Sequence, residues 1–155
     1  MVLHLSKTEE AKLAELEPET QSRVRQLLAR LEARGFRYYV GSAVRDLIDQ
    51  AAALADGKSD VKVGWHQLAR AVDIYSYDPV AHEIDLNGRN EDFYRALHEE
   101  AYELGLWGLA YRPYPSGPKH FLSSGAWDGG HVEFHGPYAT LAEAISAEGE
   151  KYGVA

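Results

Sequence analysis

The sequence predicts an α+β domain with a small, mainly antiparallel sheet flanked by helices. Two patterns carry that reading: apolar residues recur at three- and four-residue steps in several separate segments, and short strand-like runs fall between them. Strand-helix-strand alternations are too few to impose a parallel sheet. The length agrees. At 155 residues and 45% hydrophobic, with no internal repeat or linker, residues 1–155 read as one domain able to bury a core without disulfides. No accessory domain is visible.

Taken in order, Ser6 and Glu9 have the form of a capping box, and Ala11, Leu13 and Leu16 extend an apolar helical face as far as Pro18. Pro18 suits the first turn of a second helix, where Val24, Leu27, Leu28 and Leu31 recur at helical steps and Gly35 closes it. Phe36 to Val40 reads as a strand. Ala43 to Asp56 is alanine-rich and helical, with Leu47, Ala51 and Leu54 on one face and Gly57 at its end. Lys58 to Trp65 has no period and reads as a loop, Ala71 to Tyr75 as a strand, and the polar Tyr77 to Asn90 has room for a hairpin. Asn90 caps a helix with Phe93, Leu97, Ala101 and Leu104 inward and Gly105 at its end. Tyr111 to Asp128, with Pro113, Pro115 and Pro118, is a long loop of the kind that often carries function in a small domain. His131 to Phe134 is a short strand, and Thr140 with Glu143 repeats the capping-box pattern before a last helix.

Sixteen Lys and Arg against 24 Asp and Glu leave a formal charge of -8, which disfavours nucleic acid as a partner because phosphate binding draws on cationic side chains. Cysteine is absent, so thiol nucleophiles, redox motifs and Cys-based zinc sites are excluded, and His, Asp and Glu are left as metal ligands. Seven histidines keep that chemistry open. The first ten residues lack the basic end and apolar run of a signal peptide, and no stretch approaches the roughly 18 apolar residues of a membrane span. Synthesis in the cytoplasm, without membrane insertion and as a monomer, is the expectation.

Two segments can carry chemistry: Gly64-Trp-His-Gln-Leu-Ala-Arg-Ala-Val-Asp73 and Trp127-Asp-Gly-Gly-His-Val-Glu-Phe134. Strand alternation puts Asp73 on one face with Ala71 and Tyr75, opposite Val72 and Ile74, while His66 lies upstream in a turn that can fold back. In the second segment Val132 and Phe134 share a core face, and His131 and Glu133 share the other. Two imidazoles and one carboxylate make a zinc site with its fourth position open, as catalytic sites require. A further carboxylate must then take a proton from water and hand it to the leaving amine. Asp128, three residues before His131 across two glycines, suits that task, and Glu133 is the rival. Spacing alone leaves the bland reading standing, because Asp-Gly is a hairpin-turn dipeptide and His131 can be a solvent-facing strand residue.

Together these residues resemble the zinc metallopeptidases that include VanY-type D-alanyl-D-alanine carboxypeptidases and phage L-alanyl-D-glutamate endolysins. Their signature is H-x-x-G-x-A-x-D, followed downstream by an acidic residue three before a second His. His66, Ala71 and Asp73 match the first part, and Asp128 and His131 the second. Leu13 to Gln21 resembles the opening helices of the phage endolysins, and Val44 to Leu54 is similar to the family helix that begins with Arg and carries Gln five residues later. The likeness runs from about Leu5 to Phe134 and leaves the last helix outside.

The resemblance implies a hedgehog/D-Ala-D-Ala-peptidase-like fold, Zn2+ as cofactor, His66, Asp73 and His131 as its ligands, and Asp128 as general base for a zinc-activated water. Arg45 would match the family Arg that binds substrate and steadies the developing oxyanion; its bland alternative is an ion pair with Asp46 or Asp49. Glu133 and His135 are candidate outer partners of the ligands. Trp65, Trp127, Tyr114 and His120 are candidates to line a substrate groove, and His4, His82 and His98 have no assigned role. The implied partner is bacterial peptidoglycan peptide and the implied reaction cleavage between L-alanine and D-glutamate, with removal of terminal D-alanine as the alternative. The wall would be reached by holin-type release or lysis. Two departures stand out: Ala69 replaces the family glycine and Gly64 the family serine. They are the sole support for a non-catalytic module that binds wall peptide.

Overall fold

The computed structural model describes residues 3–44, 51–52, 55–56, 63–108 and 129–154. Helix α1 (Lys7–Ala14) opens with a complete capping box, in which the Glu9 amide donates to Ser6 Oγ and the Ser6 amide to the Glu9 carboxylate, both at 3.1 Å. The second Glu9 oxygen accepts the Val40 amide at 2.8 Å, so the residue that starts the helix also pins the first strand and is buried for that reason. Helix α2 (Pro18–Ala33) has proline in its first turn, and the Glu17 carboxylate accepts the amides of Glu19 and Thr20. Its Val24, Leu27, Leu28 and Leu31 are fully buried.

Strands β1 (Tyr38–Val40), β2 (Ala71–Asp78), β3 (Glu83–Asp85), β4 (Trp107–Gly108) and β5 (His131–Glu133) form one antiparallel sheet. β2 is its spine. Along one edge it pairs with β1, along the other with β5 and then β3, and β4 lies outside β5. Helix α3 (Glu91–Glu103) is capped by Asn90, whose side chain accepts the Phe93 amide at 3.2 Å, and it buries Phe93, Tyr94 and Leu97. In helix α4 (Leu141–Glu148) Thr140 Oγ1 accepts the Glu143 amide, but the Glu143 carboxylate returns to the Ala139 amide, one residue before the expected position.

Two expectations change. β2 runs on to Asp78 because its second half gains partners in β1 and the β3 hairpin. β4 is an additional strand, two residues long and so too short to show alternation. The segment expected to be helical from Ala43 to Asp56 is helical at 51–52, while 45–50, 53–54 and 57–62 lie outside the described residues, as does the expected loop within 109–128. No helix among the described residues is long and apolar enough to cross a membrane.

The sheet has one apolar and one polar face, as period-2 alternation requires. Val72, Ile74 and Val132 face the core shared with α1, α2 and α3. Asp73 pairs with His131, and Ala71 and Trp107 flank Glu133, so these side chains stand on the opposite face. One end of that face is roofed by a second apolar cluster, in which Trp65, Leu68 and Ala71 meet Ala144, Leu141 and Ile145 of and around α4. Arg70 anchors this roof: buried, it pairs with Glu148 at 2.9 Å and Glu17 at 3.3 Å and lies over the rings of Phe134 and Tyr138. The last helix is thereby tied to the strand that carries Asp73.

A 3-10 turn, Trp65–Leu68, precedes β2 and ends at Ala69 with φ 57° and ψ 33°. This left-handed conformation costs a residue with a Cβ about 1–2 kcal/mol, which explains why the related signature carries glycine here. The turn is nonetheless closed by the bond from the Glu17 amide to the Ala69 carbonyl at 2.9 Å. Ala69→Gly is expected to stabilise the fold by about 0.5–1 kcal/mol in chemical denaturation, the relieved strain being partly offset by greater freedom of the unfolded chain. A destabilised variant would show that the strain is compensated locally.

Candidate metal centre

Three elements deliver three ligand groups to one point. Asp73 projects from the middle of β2, His131 from the start of β5 directly across the ladder, and His66 from the 3-10 turn. His66 Nε2 lies 3.5 Å and His131 Nδ1 3.3 Å from Asp73 Oδ1, and all three side chains are buried. The ligand atoms lie within 4.8 Å of one another, and this group can hold a metal ion. Ligands of a tetrahedral zinc at its usual bond lengths stand roughly 3.3 Å apart, so the spacing fits.

The hydrogen bonds behind the ligands support the same conclusion. His66 Nδ1 donates to the Ala43 carbonyl at 2.6 Å, which leaves the Nε2 lone pair facing Asp73. His131 has the opposite tautomer: Nε2 donates to Glu133 Oε1 at 2.7 Å and Nδ1 is left for the site. Each imidazole is thus oriented by an acceptor on its far nitrogen, the arrangement that fixes metal-ligating histidines.

The electrostatics call for a cation. Burial alone would lower the pKa of His131, yet its hydrogen bonds to Asp73 and Glu133 and their charges push it up to about 10. Burial would raise Asp73, but His66 and His131 hold it well below the usual carboxylate range. Glu133, also desolvated, is brought down to about 2 by hydrogen bonds from His131 and His135. A proton on His131 meets this demand in the metal-free protein, and a metal ion held by this group would meet it in place of that proton.

The glycines before His131 make the close approach possible. The Ile74 amide donates to the Gly130 carbonyl at 2.8 Å, and a Cβ on Gly130 would stand 2.6 Å from the Ile74 carbonyl oxygen. The Gly129 carbonyl accepts Nε2–H of His98, a buried residue on the inner side of α3, at 2.7 Å. Gly108 of β4 packs against that imidazole, where a Cβ would come within 1.7 Å of Nδ1. His98 is therefore a residue the sequence reading missed: it anchors the turn between Asp128 and His131. Its position beside Leu97 in an apolar helical pattern signals core filling and nothing more.

Glu133 engages both carboxylate oxygens with imidazoles, Oε1 with His131 and Oε2 with His135, which leaves it poorly placed to act as the rival base. Trp65 is buried and stacked on His135, so the structure places it in the packing beneath the site. Gly64, where the family has serine, has its amide capped by Gln67 Oε1 at 2.6 Å. Asp128, Arg45, Trp127, Tyr114 and His120 lie outside the described residues.

No protein-family model and no curated protein matches the sequence. Solved structures do. The Serratia marcescens L-Ala D-Glu endopeptidase ChiX superposes with a TM-score of 0.56 at 18% identity, over 90% of this chain and 92% of that one. The D,D-pentapeptidase VanY of a VanB-type vancomycin-resistance cassette, solved in complex with Zn(II), gives 0.53 at 20%, over 88% and 83%. VanYB in complex with D-alanine-D-alanine gives 0.54 at 19%, over 88% and 81%. The fold class and the polar strand face agree with the reading from sequence, and the chain has the α+β fold of the VanY-like peptidases.

Proposed function

We propose that the chain is a zinc-dependent hydrolase of the peptidoglycan stem peptide that cuts between L-alanine and D-glutamate. The observation that carries this is the His66, Asp73 and His131 triangle, buried and with both imidazole tautomers set from behind. When bound, zinc supplies a Lewis acid that polarises the scissile carbonyl and brings the pKa of water to about 7. Asp128 accepts the proton from the attacking water and delivers it to the amine as the C–N bond breaks. Arg45 offers a fixed fork of donors to the charge that builds on the carbonyl oxygen. Glu133 keeps His131 turned toward the site, and the Ala43 carbonyl does the same for His66.

The roles of Asp128 and Arg45 and the choice of bond rest on the sequence resemblance, the bond on the opening helices in particular. Purified peptidoglycan digested by the zinc-loaded protein, with a chelated sample alongside, tests the reading by mass spectrometry of the new termini. New D-glutamate amino termini that vanish with chelator are expected. Free D-alanine would move the activity to the carboxypeptidases, and no product in either sample would replace hydrolysis by peptide binding.

A further inference from the structure

Behind the ligands lies a stack of three rings that the reaction does not use. The His135 imidazole sits between two indoles, 4.3 Å from Trp65 with planes 14° apart and 5.1 Å from Trp107 with planes 13° apart. Its Nε2 bonds Glu133 Oε2, and Glu133 Oε1 bonds His131 Nε2 at 2.7 Å. Each part of the stack comes from an element that builds the site. Trp65 is the neighbour of His66 in the 3-10 turn, Trp107 pairs with Glu133 across the β4–β5 ladder, and His135 follows the end of β5.

We propose that His135 is a positioning residue for the metal centre: clamped between Trp65 and Trp107, it fixes the Glu133 carboxylate and through it the Nδ1 lone pair of His131. The inference rests on the metallopeptidase reading. Glu133 reaches His131 through three rotatable bonds, and one hydrogen bond leaves the carboxylate free to pivot about that contact. The second bond, from a donor that cannot turn, removes the pivot. Parallel rings on both faces hold the imidazole plane, because rotation of His135 would drive its edge into an indole. Glu133 is buried, so water is a poor substitute for a missing donor. Outer partners of this kind typically govern metal affinity by 10- to 100-fold.

Two variants of the full chain separate the hydrogen bond from the stack. His135→Phe keeps an aromatic ring between the indoles and removes the N–H; His135→Gln keeps an N–H donor and removes the ring. Zinc affinity, read by competition with a chelating dye, is expected to fall roughly 10- to 100-fold in the Phe variant and to be partly restored in the Gln variant, whose donor is present but no longer clamped. The cobalt-substituted Phe variant is expected to show a shifted visible spectrum, because His131 is no longer held at one angle. As a control against misfolding, a Glu133→Gln background should abolish the further effect of His135→Phe on affinity. Zinc binding by the Phe variant equal to that of the parent would overturn the proposal, and so would equal losses in both variants, which would assign the effect to ring packing. A parent protein that binds no zinc would instead overturn the metallopeptidase reading.

Discussion

Replacing Asp128 by alanine is expected to leave zinc bound and to lower hydrolysis of the stem peptide by about 10²- to 10⁴-fold, the usual contribution of a positioned general base. Asp128 itself lies outside the described residues, but the chain that follows it is fixed at two consecutive carbonyls, Gly129 by His98 and Gly130 by Ile74. Those bonds set the start of β5 and the register that brings His131 opposite Asp73. The site therefore keeps its ligands when the Asp128 side chain is removed. Asp73→Ala provides the contrast, since it takes out the carboxylate that both imidazoles face at 3.3 and 3.5 Å and should abolish zinc binding and hydrolysis together. Zinc stoichiometry by elemental analysis and turnover by product mass spectrometry distinguish the two. Full activity of the Asp128 variant would remove it as the base. Glu133 would be a weak replacement, because His131 and His135 already occupy its two oxygens.

What could be read from the sequence was what depends on local period and local chemistry. The Ser6 and Glu9 box, Pro18 in a first turn and Asn90 as a cap each place a side-chain acceptor or a missing amide where a helix end leaves groups unpaired. Alternation in Ala71 to Tyr75 and His131 to Phe134 put Asp73, His131 and Glu133 on polar faces before their strands were known to pair. Their pairing is long-range, and no local signal sets the Asp73 to His131 register. The same holds for the clamp on His135, whose rings come from three distant segments. Ala69 is different again: alanine gives no hint of a left-handed turn, and only the glycine of the related signature pointed to it. His98 went unread because a histidine among apolar helical positions looks the same whether it fills space or holds a carbonyl.

That buried histidine also makes the fold sensitive to acid. Burial, opposed by its bond to the Gly129 carbonyl and aided by the charge on His131, lowers the His98 pKa from the usual 6.5 to about 4. The folded state then binds fewer protons than the unfolded chain between those values, so stability from this group is full above pH 6.5 and is lost as pH falls toward 4. The full loss is about 3 kcal/mol. Other shifted groups of the site act outside the upper part of this window in metal-free protein. His131, raised to about 10, contributes stability that is complete below its unfolded value and lost as pH rises through 10. Asp73 and Glu133, both lowered, keep their contributions until pH falls below the ordinary carboxylate range. Chemical denaturation in the presence of chelator, from pH 7 down to about 4.5, should therefore show a decline that His98→Gln removes. Glutamine retains an N–H for the Gly129 carbonyl and cannot take up a proton, so the turn before His131 stays anchored while the titration is gone. An unchanged acid slope in the glutamine variant would mean that His98 is accommodated as a cation.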